Sequence, residues 1–193
     1  MAVRATLQIG DPRLKAKNKV VKEINSPEIK QVITDLVDTM RQDQLIGMAA
    51  PQIGENHRVF VTEPRKTVFR SGVTDELRVY INPKITVYSN ETVMIYEGCG
   101  SVLNGQLFGP VRRPKEITIE AMDENGNKFR LRCDGILARV IQHEYDHLWG
   151  IEFTEKIEDY KKLMYVDFYK EKVRNSPEQL AAAEITVCMV EKN

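Results

Sequence analysis

Gln142-His143-Glu144-Tyr145-Asp146-His147-Leu148 decides how this chain is read. It has the form H-E-x-x-H. On a helix, His143 and His147 stand one turn apart on the same face. Two imidazoles so placed can grip one metal ion, and Glu144 beside the first of them can reach a water bound there. The chain has only three histidines, and two of them fall inside this motif. Asp134 can cap the helix, Ile136, Leu137, Val140, Ile141 and Leu148 give it an apolar side, and Gly150 is a natural stop. The bland reading is an amphipathic helix with its histidines turned to solvent.

Immediately upstream, Ile117–Met122 and Lys128–Cys133 flank Glu124-Asn125-Gly126-Asn127, and the Asn-Gly step predicts a hairpin. Shorter strand-like runs precede it at 58–62, 77–82, 85–88 and 92–96. Residues 63–76 are polar and read as a surface loop, and 104–114, rich in Gly, Pro and Arg, read as an excursion. Ser26-Pro27-Glu28 opens an N-terminal helix whose stripe is Ile29, Val32, Ile33, Leu36, Val37 and Met40. Beyond residue 157, Tyr160, Leu163, Met164, Asp167 and Phe168 point to another helix. Ser176-Pro177-Glu178 is a second N-cap signature, and 185–190 fit a closing strand or more helix. The fold class is therefore α+β: antiparallel strands packed around a central metal-binding H-E-x-x-H helix, with an N-terminal helix and a C-terminal helical extension. Residues 1–158 form the expected catalytic domain, and 159–193 the extension packed on it.

The chain has 193 residues, 42% hydrophobic and 29% charged, and so can bury a core without disulfides. Basic and acidic side chains balance at 28 each, which excludes bulk electrostatic binding to nucleic acid or an anionic membrane. Three cysteines, Cys99, Cys133 and Cys188, are a poor disulfide framework and suit a reducing compartment. Residues 1–8 lack the apolar core of a secretory signal, and no apolar run approaches a membrane span. The expected setting is the cytoplasm. His57 reads as a surface histidine and Trp149 as core.

A catalytic site of this type takes three protein ligands and keeps one position open. Cys99 offers the third, because Gly98 and Gly100 on either side allow close backbone approach. Cys133 sits in a strand and reads as a small apolar residue.

Three stretches together resemble the peptide deformylase family: Gly47-Met48-Ala49-Ala50-Pro51-Gln52, Glu97-Gly98-Cys99-Gly100-Ser101 and Gln142-His143-Glu144-Tyr145-Asp146-His147. Their order and spacing also match, over most of the chain from about Asp11 to about Phe153. The resemblance implies metal-dependent removal of the formyl group from the N-terminal formyl-methionine of new polypeptides. The metal ligands it implies are Cys99, His143 and His147, holding ferrous iron in the cell and zinc or nickel in purified protein. Glu144 is then the acid and base, and the Gln52 amide and the Gly100 N–H face the developing oxyanion. Ile46, Gly47 and Gly98 line the formyl-methionyl backbone site. Glu97 pairs with an arginine after the cysteine motif, Arg113 rather than Arg112, and braces the cysteine loop. Asp146 either orients a ligand or bonds on the helix surface. The implied partners are N-formylmethionyl nascent peptides, with work close to the ribosome. Monomer and homodimer both remain open.

Four features depart from the family pattern. Leu45 stands where glycine is usual, and Gly100 where leucine is common. The 102–110 segment is longer than usual, with Leu103 where proline is common, and the tail from about Asp159 matches nothing in the pattern. These departures keep open a deformylase-like protein of weakened or shifted activity. A zincin-type metallopeptidase, with its third ligand among Glu152, Glu155 and Glu158, is the other enzyme reading. A closed structural Cys/His site lacks an evident fourth ligand near Cys99.

Overall fold

The computed structural model describes residues 3–68, 70 and 72–192. Met1, Ala2 and Asn193 lie outside these residues, as do positions 69 and 71 of the expected 63–76 loop. The fold is α+β, and the two sheets are antiparallel between all their paired strands.

The first helix, α1 (Pro27–Gln42), starts where Ser26 Oγ accepts from the Ile29 N–H at 3.3 Å. Its stripe of Ile29, Val32, Leu36 and Met40 is buried. These side chains pack on Met48 of β1 (Gly47–Ala49), Val59 and Val61 of β2 (Val59–Thr62), and Val79 and Ile81 of β3 (Arg78–Tyr88). Each large aliphatic side chain so buried contributes roughly 1.5–3 kcal/mol.

The two strands expected at 77–82 and 85–88 are one strand, β3, with register shifts on both sides of Ile85. Pro83 has no N–H for the ladder, and Asn82 takes a φ of 51° there. The Asn82 amide turns outward to pair with both backbone groups of Val21, at 2.8 Å each.

Next come β4 (Thr92–Gly98), β5 (Leu107–Pro114), β6 (Ile117–Met122) and β7 (Lys128–Cys133). β4 and β5 form the second sheet with β8 (Met164–Tyr165). The excursion expected at 104–114 is thus mostly strand. Pro110 is tolerated because it faces Tyr96 across the ladder, and the Tyr96 backbone groups bond elsewhere. The Asn-Gly hairpin between β6 and β7 is present. Asp123 Oδ1 accepts from the N–H groups of Asn125 and Asn127, and Gly126 takes a φ of 84°.

α2 (Gly135–His147) carries the H-E-x-x-H stretch. Leu137, Ala138, Ile141 and Leu148 pack on Phe60, Tyr80, Ile119 and Leu131 of the six-stranded sheet. Asp134 stands at the N-cap but does not cap the helix. Its carboxylate accepts from the N–H groups of Thr186 and Val187, at 2.7 and 2.8 Å, and from the Thr186 hydroxyl. Trp149 is half-exposed rather than core, with the Arg58 guanidinium 4.6 Å above its ring.

The tail is only partly helical. α3 (Val166–Lys172) and α4 (Pro177–Ala183) are followed by β9 (Cys188–Lys192), which pairs with β7. The helix expected from Tyr160 starts at Val166, after β8. Ser176 caps α4 by accepting from the Gln179 N–H at 3.2 Å. The six-stranded sheet runs β1-β2-β3-β6-β7-β9 and the other β4-β5-β8, so β1 and β4 are both edge strands.

Candidate active site

Arg139, His143 and His147 recur every four residues on α2, so they line one row on the side away from Leu137 and Ile141. Cys99 directly follows β4 and is buried between its two glycines. Its Sγ lies 3.3 Å from His147 Nε2. The ligand atoms of Cys99, His143 and His147 all lie within 4.8 Å of one another, and they alone form such a cluster among the described residues. His143 Nδ1 is bonded to Glu97 Oε2 at 2.8 Å, which leaves Nε2 free to bind an ion. His147 Nδ1 faces the buried carboxylate of Glu152 at 3.5 Å.

The electrostatics fit a site built for a cation. Burial opposes charge on Cys99, but the two imidazoles outweigh it and bring the thiol down to about 6. Burial also disfavours the His143 imidazolium, yet the Cys99 thiolate and Glu97 raise it to about 10. A thiolate among imidazoles is the donor set that zinc and ferrous ions accept. Glu144 is buried, Oε2 has no hydrogen-bond partner among the described residues, and desolvation lifts its carboxyl to about 7. A bound cation would draw these values down.

Gln52 begins from the 3-10 turn Ala50–Ile53 after β1. Its Oε1 accepts from the Ala49 N–H at 2.8 Å, so its amide hydrogens point at Cys99 Sγ and Ser101 Oγ, 3.4 and 3.2 Å away. Gly47 is buried, and a Cβ there would meet Glu144 Oε1 and Val140 Cγ2 at 2.5 Å. Only glycine lets β1 lie this close to the carboxylate. Ile46, Gly47, Gln52, Gly98, Cys99 and Glu144 all face one cleft of about 410 Å³ between the edges of β1 and β4.

Glu97 and Arg113 are buried and joined by two bonds, at 2.7 and 3.0 Å. Arg112 is exposed and pairs with Glu158 instead. Asp146 also turns inward, accepting from Arg113 Nη1 at 2.5 Å. Two further residues, Arg139 and Gln8, were not singled out from sequence, and Glu152 was read only as a ligand candidate of the zincin alternative. Arg139 donates to Glu97 Oε1 at 2.7 Å, and Glu152 faces His147. Gln8 donates to the Gly100 carbonyl at 2.9 Å, while the Leu7 and Ile9 N–H groups bond to the carbonyls of Gln52 and Ser101. The N-terminal segment thus ties the glutamine turn to the cysteine turn. The helical row of Arg139 was a readable signal. Gln8 carries none.

The sequence profile of the polypeptide deformylase family matches residues 3–163. The chain belongs to this family. The peptide deformylase of Thermomicrobium roseum is 39% identical over 166 residues, covering 86% of this chain and 92% of that one. Peptide deformylase 1 of Clostridium perfringens is 41% identical over 155 residues, 80% and 98% of the two chains. Among solved structures, the class I type b enzyme of Acinetobacter baumannii with Met-Ala-Ser bound superposes with a TM-score of 0.76 at 30% identity. That match covers 80% of this chain and 99% of the other. The Ehrlichia chaffeensis enzyme in complex with actinonin gives 0.75 at 33%, covering 90% and 96%. Family members are metal-dependent hydrolases that remove the N-formyl group from nascent polypeptides. No helix among the described residues is long and apolar enough to cross a membrane.

Two of the departures from the family pattern are one. A Cβ at Gly100 would meet Leu45 Cδ1 at 2.7 Å, so the Leu45 side chain occupies space that a residue at 100 would need. Gly100→Leu alone should destabilise the fold by about 1–3 kcal/mol through overpacking. Leu45→Gly in the same chain should recover most of that loss, as a double-mutant cycle of thermal melts would show. Strictly additive effects would contradict the exchange. The 102–110 segment opens with a turn in which Leu103, Asn104 and Gly105 all have positive φ, 50°, 52° and 74°, before β5 begins at Leu107. The Asn104 N–H donates to Gln8 there, at 2.9 Å.

Proposed function

We propose that this chain deformylates N-formylmethionyl peptides at a divalent ion held by Cys99, His143 and His147, with α2 as the central element of the site. The observation that carries it is the cluster of one thiol and two imidazoles beside Glu144, whose Oε2 has no hydrogen-bond partner among the described residues, at a cleft between two sheet edges. The ion, when bound, acidifies a water and polarises the formyl oxygen.

The chain's own residues do the rest. The edges of β1 and β4 accept an extended peptide between them, with Ile46, Gly47 and Gly98 along its backbone. Glu144 takes a proton from the attacking water and returns it to the leaving amine, releasing formate and a free N-terminus. Gln52 Nε2 and the Gly100 N–H donate to the charge that grows on the formyl oxygen. One such donor is worth about 2.7–4 kcal/mol. Glu97, held by Arg113 and Arg139, fixes the His143 ring.

Iron is the ion we assign in the cell, with zinc or nickel in purified protein. The free thiols fit a reducing cytoplasm, and the substrate fits work near the ribosome. Glu152 does not support the zincin reading, because it faces the outer nitrogen of His147 and stands outside the ligand cluster.

The test is formate release from formyl-Met-Ala-Ser by nickel-loaded protein, with acetyl-Met-Ala-Ser beside it. Formate from the first peptide and no cleavage of the second is the expected result. A fully metal-loaded protein that releases none would end this reading.

A further inference from the structure

Each histidine of the cluster turns its second ring nitrogen to a buried carboxylate. For His143 that carboxylate is Glu97, at 2.8 Å. For His147 it is Glu152, whose Oε2 stands 3.5 Å from Nδ1.

The end of α2 puts Glu152 there. The chain turns at Gly150 with a φ of 69°, and the Ile151 N–H returns to the Asp146 carbonyl at 3.1 Å. Phe153 is buried in the same apolar cluster as Cys99 and Val111, which anchors the residue beside it. The Glu152 N–H is taken by Glu155 Oε1 at 2.8 Å, and the Glu152 carboxylate is left for the interior.

His147 Nε2 is turned to Cys99 Sγ, 3.3 Å away, and is therefore the nitrogen that faces an ion. A neutral imidazole that gives one nitrogen to an ion carries its proton on the other. That proton needs an acceptor in a buried site. Glu152 is 1% exposed. Neither of its oxygens has a hydrogen-bond partner among the described residues, and neither does His147 Nδ1. Closing the gap between Nδ1 and Oε2 satisfies both side chains at once.

The two carboxylates differ in their other neighbours. Glu97 shares its charge with Arg113 and Arg139, at 2.7 Å each. Glu152 has no ion pair with an arginine or lysine among the described residues, and His147 is its one charged partner there. Lys15, in the same corner, is committed to the Gly150 carbonyl at 2.6 Å and to Glu155. A buried carboxylate needs a cation to match it. The Cys99 thiolate and the Glu152 carboxylate together balance the two charges of a divalent ion.

We infer that Glu152 is a positioning residue of the metal centre, which orients the His147 ring through Nδ1 and supplies the negative charge, beyond that of Cys99, that retains a divalent ion. The inference rests on the ligand set of the proposed function.

The experiment measures zinc affinity by competition with a chromogenic chelator, for wild type, Glu152→Gln and Glu152→Leu. Glutamine keeps the size and an acceptor oxygen without the charge, and leucine removes both. Thermal melts of the zinc-free proteins check that each variant is folded. The expected loss of affinity is about 10–100-fold in Glu152→Gln, the range for a group that braces a metal ligand, and at least as large in Glu152→Leu. A role in packing alone predicts no loss with glutamine, which fills the same space. A loss below about tenfold in Glu152→Gln overturns the inference, as does a smaller loss in a folded Glu152→Leu. The glutamine variant decides alone if the leucine variant does not fold. Wild-type protein that fails to take up one zinc per chain overturns the ligand set itself, and this inference with it.

Discussion

Glu144→Gln should lower formate release at least about a thousandfold, towards the upper range for loss of a positioned general acid and base. The geometry favours glutamine as the probe. Glu144 is buried, and Gly47 leaves just enough room for its head group. Glutamine has the same size and fills the same space, but cannot carry the proton from water to amine. Glu144 stands outside the cluster of Cys99, His143 and His147, so the ion should stay. The check pairs a formate assay with metal-to-protein stoichiometry. Activity above a tenth of wild type in a fully loaded variant would remove Glu144 from the proton path.

The second large effect falls on stability. Glu97 is met by Arg113 Nε and Nη2, by Arg139 Nη1 and by His143 Nδ1, all at 2.7–3.0 Å. Arg113 also binds Asp146. All of these groups are buried. Desolvation works against the charge on Glu97, but the arginines win, and its carboxyl is held well below the ordinary range. Removing one member leaves charge stranded away from water, which costs about 3–5 kcal/mol. Arg113→Met should therefore lower the melting temperature by roughly 6–20 °C for a chain of this size. Arg113→Lys should recover only part of this, because one ammonium cannot match the fork that spans Glu97 and Asp146. Thermal melts of both variants decide it, and a fall below about 2 °C for Arg113→Met would mean that the network adds little.

The cluster of Cys99, His143 and His147 was legible because its chemistry is concentrated in rare residue types. Two of three histidines at helical spacing, and a cysteine between glycines, leave few other readings. The N-terminal helix was legible from Ser26, Pro27 and a regular stripe. What escaped depends on pairings that no local pattern encodes. Arg139 shares a face with both histidines, yet an arginine on a helix usually points to water. Gln8 acts across more than ninety residues of sequence. The 104–114 segment has the glycines and prolines of a loop. From Leu107 on it is nevertheless strand, because Pro110 falls where the ladder asks nothing of it. Asp134 has the identity and position of a cap but serves Thr186 and Val187 instead. The end of the tail was left between strand and helix, and β7 decides it by offering an edge for β9.

That use of Asp134 couples two distant parts of the molecule. Because the carboxylate is engaged by the tail, α2 begins without a side-chain cap, at a glycine with a φ of 58°. When thermal fluctuation lifts residues 184–188 away, the opening turn of α2 loses its nearest support in the same event. Amide hydrogens at both places should therefore exchange with deuterium as one cooperative unit, although about fifty residues of chain separate them.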